Sequence, residues 1–406
     1  MIGSGVSIFQ NMVCGNISGV FVGMTEDILV SSMYIHIPFC RQRCHYCDFF
    51  STTADTTEHG SYVALLIKHL EQLQRNEPTV VDLQTIYVGG GTPSLLTIDQ
   101  LRLLLTSCSD LFGIAAGAEI TIEVNPGTFD RYYLQQLRNI GFNRLSIGIQ
   151  SFDSRQLLRL GRCHTREQSL EAVIAARAAG FDNLSLDLIF ALPEQTTPHL
   201  DEEIKLLLQQ EPEHISVYGL TIEEGTKFER LQRQGRLAVA DEEEYAQQYE
   251  LICERFCTAG YEHYELSNFA RPGHRCRHNQ RYWQRRNCLA VGCGAHSFVE
   301  QGYGERWHIP ADLARYRQQL DAGLNPAEKL ETFDRTAAMK ETVYLALRTR
   351  DGIDPGAFER RFGESFHRAF PTASESLAKV LIQSPKQIAL ETRHWLIYDH
   401  LISTFL

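Results

Sequence analysis

Cys40, Cys44 and Cys47 stand as C-x3-C-x2-C in the segment IPFCRQRCHYCDFF. Thiolates are ligands for soft metals, and three of them leave a tetrahedral zinc site one ligand short. The same three can hold three irons of a [4Fe–4S] cluster and leave the fourth iron open to an exchangeable ligand. His45 would complete a zinc site, but it lies between two of the thiols, where its ring converges poorly with them. A cluster held by Cys40, Cys44 and Cys47 is therefore the favoured chemistry. A second C-x3-C, Cys253 and Cys257, has no third cysteine nearby and falls in a helical pattern, where i and i+4 share one face; it reads as packing. Cys276, Cys288 and Cys293 are spaced too irregularly to favour a second metal site.

Other polar residues gather where short apolar runs end. Gly89–Ser94 reads GGGTPS; glycines let backbone come close to a ligand and offer bare N–H groups to its carboxylate. Glu123 closes TIEV, Gln150 closes SIGIQ and Asp187 sits inside LSLDLIF. A carboxylate in an apolar strand is costly to bury unless paired, so each reads equally as a structural hydrogen bond or as a ligand contact. Taken together they point to one rim. Arg162, in LGRCH, adds a fork that binds carboxylates bidentately.

These residues need a scaffold that brings strand ends together. From Met33 onward, strand-like runs begin at Met33, Thr85, Glu119, Arg144, Leu184 and His214, and amphipathic stretches with apolar spacing of three and four separate them. Alternation of this kind implies a parallel sheet with right-handed crossovers. Six units are too few for a closed eight-unit barrel, so the expected fold is α/β, a partial (β/α)6 barrel; a doubly wound sheet is the competitor. Both put the chemistry at the C-terminal ends of the strands. After residue 220 the pattern changes. Helical stretches at 226–235 and 242–259 lead into a loop-rich segment from Tyr261 to Trp307, then a mainly helical tail with short strands near Ile388–Thr392. The expected units are an N-terminal extension at 1–32, a core at 33–222, an Arg-rich extension at 223–310 and a C-terminal helical domain at 311–406. Residues 1–32 read as a loosely ordered extension, or as lying ahead of a true start at Met24 or Met33; Cys14, within them, has no evident role.

Composition narrows the class. The 406 residues are 43% hydrophobic, enough for a large core, and carry a net charge of −11. An acidic chain is a poor non-specific binder of nucleic acid or anionic membrane. Eleven cysteines in a chain of this length do not make a disulfide scaffold, and no run reaches the ~18 apolar residues of a membrane span. A reduced, cytoplasmic protein is expected, with no transmembrane segment.

The three-cysteine loop after the first strand resembles the radical S-adenosylmethionine (SAM) superfamily. The resemblance implies that the open iron takes the amino and carboxylate groups of SAM, and that one electron then cleaves a carbon–sulfur bond to give a deoxyadenosyl radical. Tyr46 matches the residue that contacts adenine there. YIHIPFC, GGGTPS, EVNPGT, RLSIGIQSFD, LGRCHT and DLIFALPEQT follow in the order of the anaerobic coproporphyrinogen III oxidase family, over residues 34 to about 300. By match of motif, Tyr34, Gly90, Gly91, Thr92, Glu123, Gln150, Arg162 and Asp187 would contact SAM.

Two features separate the branches of that family. The oxidase has a fourth cysteine two residues after the third, where this chain has Phe49. The oxidase also has a longer segment ahead of its first strand. Both departures resemble the HemW branch, whose members look like heme chaperones rather than decarboxylases. His278-Asn279-Gln280-Arg281-Tyr282-Trp283 is similar to an HN-x-x-YW signature of that branch associated with heme. Its chemistry offers His278 as an axial iron ligand and Tyr282 and Trp283 as cover for a porphyrin face, with Cys276, His274 and His263 as competing ligands. Arg271, Arg275, Arg277, Arg281, Arg285 and Arg286 are natural partners for two propionates, or else a solvated basic loop. The tail is similar to a winged-helix-like domain, but it is not markedly basic, and the fold alone does not imply DNA binding. The resemblance thus implies a [4Fe–4S] cluster, SAM and heme as cofactors. It implies heme-acceptor proteins and an electron donor as partners, no nucleic acid, and at most peripheral membrane contact. Coproporphyrinogen III decarboxylation is the alternative activity.

Overall fold

β1 (Val30–Ile37) opens the fold in a computed structural model that describes residues 29–53, 56–76 and 80–406. The expectation for 1–32 lies outside the described residues, except that β1 begins at Val30, ahead of Met33. Ser31 and Ser32 interrupt the apolar run there, yet Ser32 is wholly buried. The chain then alternates: α1 (Thr56–Asn76), β2 (Val80–Gly90), α2 (Ile98–Phe112), β3 (Ile114–Val124), α3 (Arg131–Asn139), β4 (Arg144–Gln150), α4 (Ser154–Leu160), α5 (Arg166–Ala178), β5 (Leu184–Phe190), α6 (Thr197–Leu208) and β6 (His214–Gly219). Thr97 with Gln100, and Thr165 with Gln168, form capping boxes that start α2 and α5 where the chain leaves a strand-end loop.

β1 to β6 are parallel, and each pairs with its neighbour in sequence. A doubly wound sheet would reverse strand order at a switch point, and none occurs, so the partial six-unit barrel holds. One face of the strands is apolar and packs under the helices, with Ile86, Ile122, Ile147, Leu186 and Ile215 almost completely buried. The inner face is polar. Thr85 and Tyr87 of β2, Glu119, Thr121 and Glu123 of β3, Arg144 and Ser146 of β4, Ser185 and Asp187 of β5, and His214 and Ser216 of β6 alternate with those apolar positions.

Beyond β6 come α7 (Lys227–Arg233) and α8 (Glu242–Thr258). The segment expected to be loop-rich holds regular structure instead: β7 (Glu262–Glu265), β8 (Asn268–Ala270), α9 (Arg277–Trp283), β9 (Leu289–Val291), β10 (His296–Val299) and β11 (Glu305–His308). β8 and β7 extend the sheet antiparallel beyond β6, and β9 joins β1 at the opposite end. α10 (Leu313–Asp321) and β12 (Glu328–Thr332) follow, β12 pairing with β11. The tail has its own core, built on α11 (Arg335–Leu347), α12 (Pro355–Phe362) and the hairpin of β13 (Leu381–Ser384) and β14 (Gln387–Leu390). Among the described residues no helix is long and apolar enough to cross a membrane.

Candidate functional site

The three thiols stand on the loop that leaves the C-terminal end of β1. Two backbone bonds close its neck: Cys40 N donates to Thr52 O at 2.9 Å, and Thr52 N to Pro38 O at 2.7 Å. Its outer turn is tied to α4 and α7, with His45 N donating to Leu160 O and Phe228 N to His45 O, both at 2.9 Å. The His45 ring donates from Nδ1 to Arg159 O (2.7 Å) and accepts from Lys227 Nζ at Nε2 (2.9 Å). It is therefore occupied elsewhere, and the zinc alternative loses its fourth ligand. Among the described residues no three His, Cys, Asp or Glu side chains gather closely enough for a single metal ion. Cys40, Cys44 and Cys47 instead share the wall of one cavity of about 520 Å³, which suits a polynuclear group better than a lone ion.

Glycine geometry brings the second strand end against this loop. Gly90 has φ +117°, which favours glycine, and Gly91 donates to Ile37 O at 2.8 Å. A Cβ on Gly91 would lie 2.7 Å from Phe39 O and 2.9 Å from Cys40 Sγ. Two donors point at the cysteine sulfurs: Thr92 Oγ1 to Cys40 Sγ (3.7 Å) and Arg162 Nη1 to Cys44 Sγ (3.6 Å). Arg162 Nη2 also donates to Gly148 O at 2.9 Å and to Asn125 Oδ1, while its buried Nε has no partner. Burial raises the Cys40 thiol and pushes Cys47 up to about 12, so both need a cation to lose their protons at neutral pH. Close glycine approach, sulfur-directed donors and an unsatisfied guanidinium nitrogen fit a [4Fe–4S] cluster with SAM beside it.

Glu123 receives Gly90 N and the Tyr87 hydroxyl, both at 2.9 Å, on separate oxygens. Burial outweighs these bonds and raises its carboxyl to about 7, from an ordinary 4.5. Asp187 accepts from Ser146 (3.1 Å) and Ser185 (3.2 Å), and burial raises it as well. Two consequences follow for pH. The folded chain holds the Glu123 proton that the unfolded chain has released, so this group's contribution to stability falls as pH rises from about 4.5 to 7. A ligand ammonium needs the ionised form, so SAM affinity is expected to drop toward tenfold per unit as pH falls below about 7. Isothermal titration across pH 5.5 to 8.5 checks this; a Glu123→Gln variant that keeps the same slope would remove Glu123 as its source.

Tyr46, Gly90, Gly91, Thr92, Glu123, Gln150, Arg162 and Asp187 all line the same cavity as the three thiols. Gln150 does so with φ 65°, a strained left-handed conformation at the end of β4. Tyr34 does not line it: its hydroxyl pairs with His36 Nδ1 at 3.1 Å and its ring stacks near Tyr87. Phe49 lies on the cavity rim and is 63% exposed. Sequence reading passed over Asn125, Arg144, Ser146, Ser216 and Tyr218, which also form the wall. The alternation of polar residues along β3 to β6 was the available signal.

The HN-x-x-YW string comes apart in space. Asn279 reaches the cluster cavity, whereas Trp283 lines a second one. His278 is 1% exposed and points into the barrel floor, with Nδ1 paired to Thr85 Oγ1 at 2.9 Å and Nε2 to Tyr282 OH at 2.8 Å. Burial lowers its pKa to about 3. Both nitrogens of the ring expected to serve as an axial iron ligand are thus hydrogen-bonded inside the fold, and iron ligation by His278 would have to break the bond to Thr85 or to Tyr282. His263 is buried against Phe269 and Trp395. Cys276, Cys288 and Cys293 contact Glu119, Tyr282 and Pro310 respectively and form no common site.

Barrel, cysteine loop and glycine turn define a radical SAM protein, and the Radical SAM superfamily model matches residues 34–207. The HemN C-terminal domain model matches residues 333–391. The heme chaperone HemW of Synechocystis sp. is 39% identical over 338 residues, 80% of each chain. That of Lactococcus lactis is 32% identical over 93% of this chain and 97% of its own. The chain belongs to the HemW family. In fold it is similar to coproporphyrinogen III oxidase (HemN) from Escherichia coli, with a TM-score of 0.80 at 22% identity over 93% of this chain and 90% of that one.

Proposed function

We propose that this protein is a heme chaperone, which binds heme and passes it to acceptor proteins in the cytoplasm. The observation that carries the reading is its similarity along 93% of its length to a heme chaperone HemW. Phe49 supports it from the site, since a thiol is missing where the oxidase branch has one.

Cys40, Cys44 and Cys47 would hold the [4Fe–4S] cluster beside the turn of Gly90, Gly91 and Thr92. When bound, the cluster supplies single electrons to SAM, and it needs an external electron donor. Thr92 and Arg162 donate to the Cys40 and Cys44 sulfurs, bonds that would favour the reduced state of a cluster held there. Glu123 would take the SAM ammonium, and Arg162 its carboxylate. Gln150 and Asp187 would hold the remaining polar groups, with Tyr46 against adenine. The polar barrel floor below them keeps Glu123 and Asp187 hydrogen-bonded and fixes where ligand charge can sit.

Anaerobic incubation with dithionite, SAM and coproporphyrinogen III is expected to yield no protoporphyrinogen, whereas the heme-loaded chain transfers heme to an apo-acceptor. Decarboxylation of the substrate would establish the oxidase reading in its place.

A further inference from the structure

The second cavity, about 1190 Å³, opens between α9, the β10–β11 hairpin, α11 and α12. It is at least as large as the roughly 300–1,000 Å³ of small-molecule sites, with room for a rigid tetrapyrrole. Trp283, Trp307, Phe358 and Phe362 give it an aromatic wall.

Its charges are mostly spent on one another. Glu300 pairs with Arg361 at 2.9 Å, Glu305 with Lys329 at 2.7 Å and Asp351 with Arg275 at 2.9 Å. Arg285 is bound to Glu341. Asp354 caps α12, accepting from Ala357 N at 2.9 Å. Two lining guanidinium groups, those of Arg286 and Arg360, form no ion pair among the described residues. The same holds within the basic cluster noted in the sequence. Arg271 lies over Tyr261, Arg275 is paired, Arg277 donates to Gly117 O and Arg281 to Gln84. That leaves Arg286 as the member of the six whose charge faces the cavity uncommitted.

We propose that this cavity is where heme is carried, its two propionates held by Arg286 and Arg360 and its ring lying against the Trp283 and Trp307 side of the wall. The inference rests on the heme-chaperone reading and adds the place and the mode of binding. Among the described residues no His, Cys or Met lines the cavity. The hydroxyl of Tyr264 is engaged with His214 Nε2 at 2.8 Å and Cys276 N at 3.4 Å. In this mode no described side chain ligates the iron, and delivery breaks no iron bond to them. Exposed, bidentate arginine contacts to carboxylates are well suited to a cargo that must leave.

The test is titration of the full, cluster-reconstituted chain with hemin, followed in the Soret band. Arg286→Gln combined with Arg360→Gln is expected to weaken binding about tenfold, and the double Glu variant further. Heme dimethyl ester, which lacks both carboxylates, should bind the wild type and the double variant alike. Bound heme should be high-spin, with a spectrum that His278→Ala does not change. Iron content and SAM affinity, which use the other cavity, report on folding of the variants. A double variant that binds hemin as tightly as the wild type overturns the location while leaving the chaperone reading in place. A low-spin spectrum lost in His278→Ala overturns the ligand-free mode. A wild-type chain that binds no heme overturns both readings.

Discussion

Alanine at Cys40, Cys44 or Cys47 is expected to abolish a full cluster, taking iron from about four per chain after anaerobic reconstitution to well below that, with loss of the charge-transfer absorbance. Each thiol carries one iron, so a three-ligand site has nothing in reserve. The loop itself should survive the change. Its neck is closed by backbone bonds of Cys40 and Thr52, and its outer turn by His45 backbone bonds to Leu160 and Phe228, none of which uses a thiol. Cys163 also lines the cavity and is exposed, so among the described residues it is the nearby thiol able to substitute; Cys163→Ala is the control and should keep a full cluster. Burial holds the Cys40 and Cys47 thiols protonated in the apo-protein, so reconstitution releases protons and should proceed faster as pH rises. A complete cluster in any of the three ligand variants would refute the assignment.

What the sequence disclosed, and what it hid, follows from how each element is stabilised. β1 to β6 are parallel and covered by helices, so they read as dense apolar runs such as LSLDLIF, and their order was legible. β7, β8 and β10 to β12 are three to five residues long, and all but β8 carry Glu, His, Arg or Lys. They are held by pairings that no periodicity announces: His296 opposite His308, and Glu305 joined across to Lys329. A stretch like ERWH has no apolar face to find.

The site divides in the same way. Cysteine spacing and the glycine triplet carry their own chemistry and were legible. The floor residues Arg144 and Ser146 of β4 and Ser216 of β6 are ordinary types whose meaning comes from facing inward. HN-x-x-YW was read as one unit within a loop-rich segment. As the short helix α9 it puts His278 and Tyr282, four apart, on one buried face and Trp283 on another. The helix has no side-chain N-cap and is seven residues long, so nothing local marked it as helical.

Replacing Glu341 by alanine is expected to cost about 3–5 kcal/mol of stability, the range for breaking a buried ion pair by removing one partner. The Glu341 side chain, on α11, is 2% exposed and takes Arg285 on one oxygen and Arg306 on the other. Arg285 is also buried. It donates to Tyr303 O at 2.8 Å, lies 4.6 Å over Phe298 and 4.8 Å over Phe333, and has a left-handed φ of 52° just after α9. One carboxylate therefore joins three parts of the chain: the end of α9, β11 and the C-terminal core. Without it, Arg285 stays charged in a site lined by Phe298 and Phe333 with its paired carboxylate gone, and Arg306 loses its bond to the same group. The cost comes from leaving the buried Arg285 charge short of its partner rather than from the net worth of the triad. Replacing Arg285, Arg306 and Glu341 together by Met, Leu and Leu should therefore recover most of the loss. Urea unfolding of the apo-protein measures both variants, and hydrogen exchange should show the Glu341→Ala opening concentrated in α11 and α12. A cost below about 1 kcal/mol would mean that water already reaches the triad and screens it as it does surface pairs.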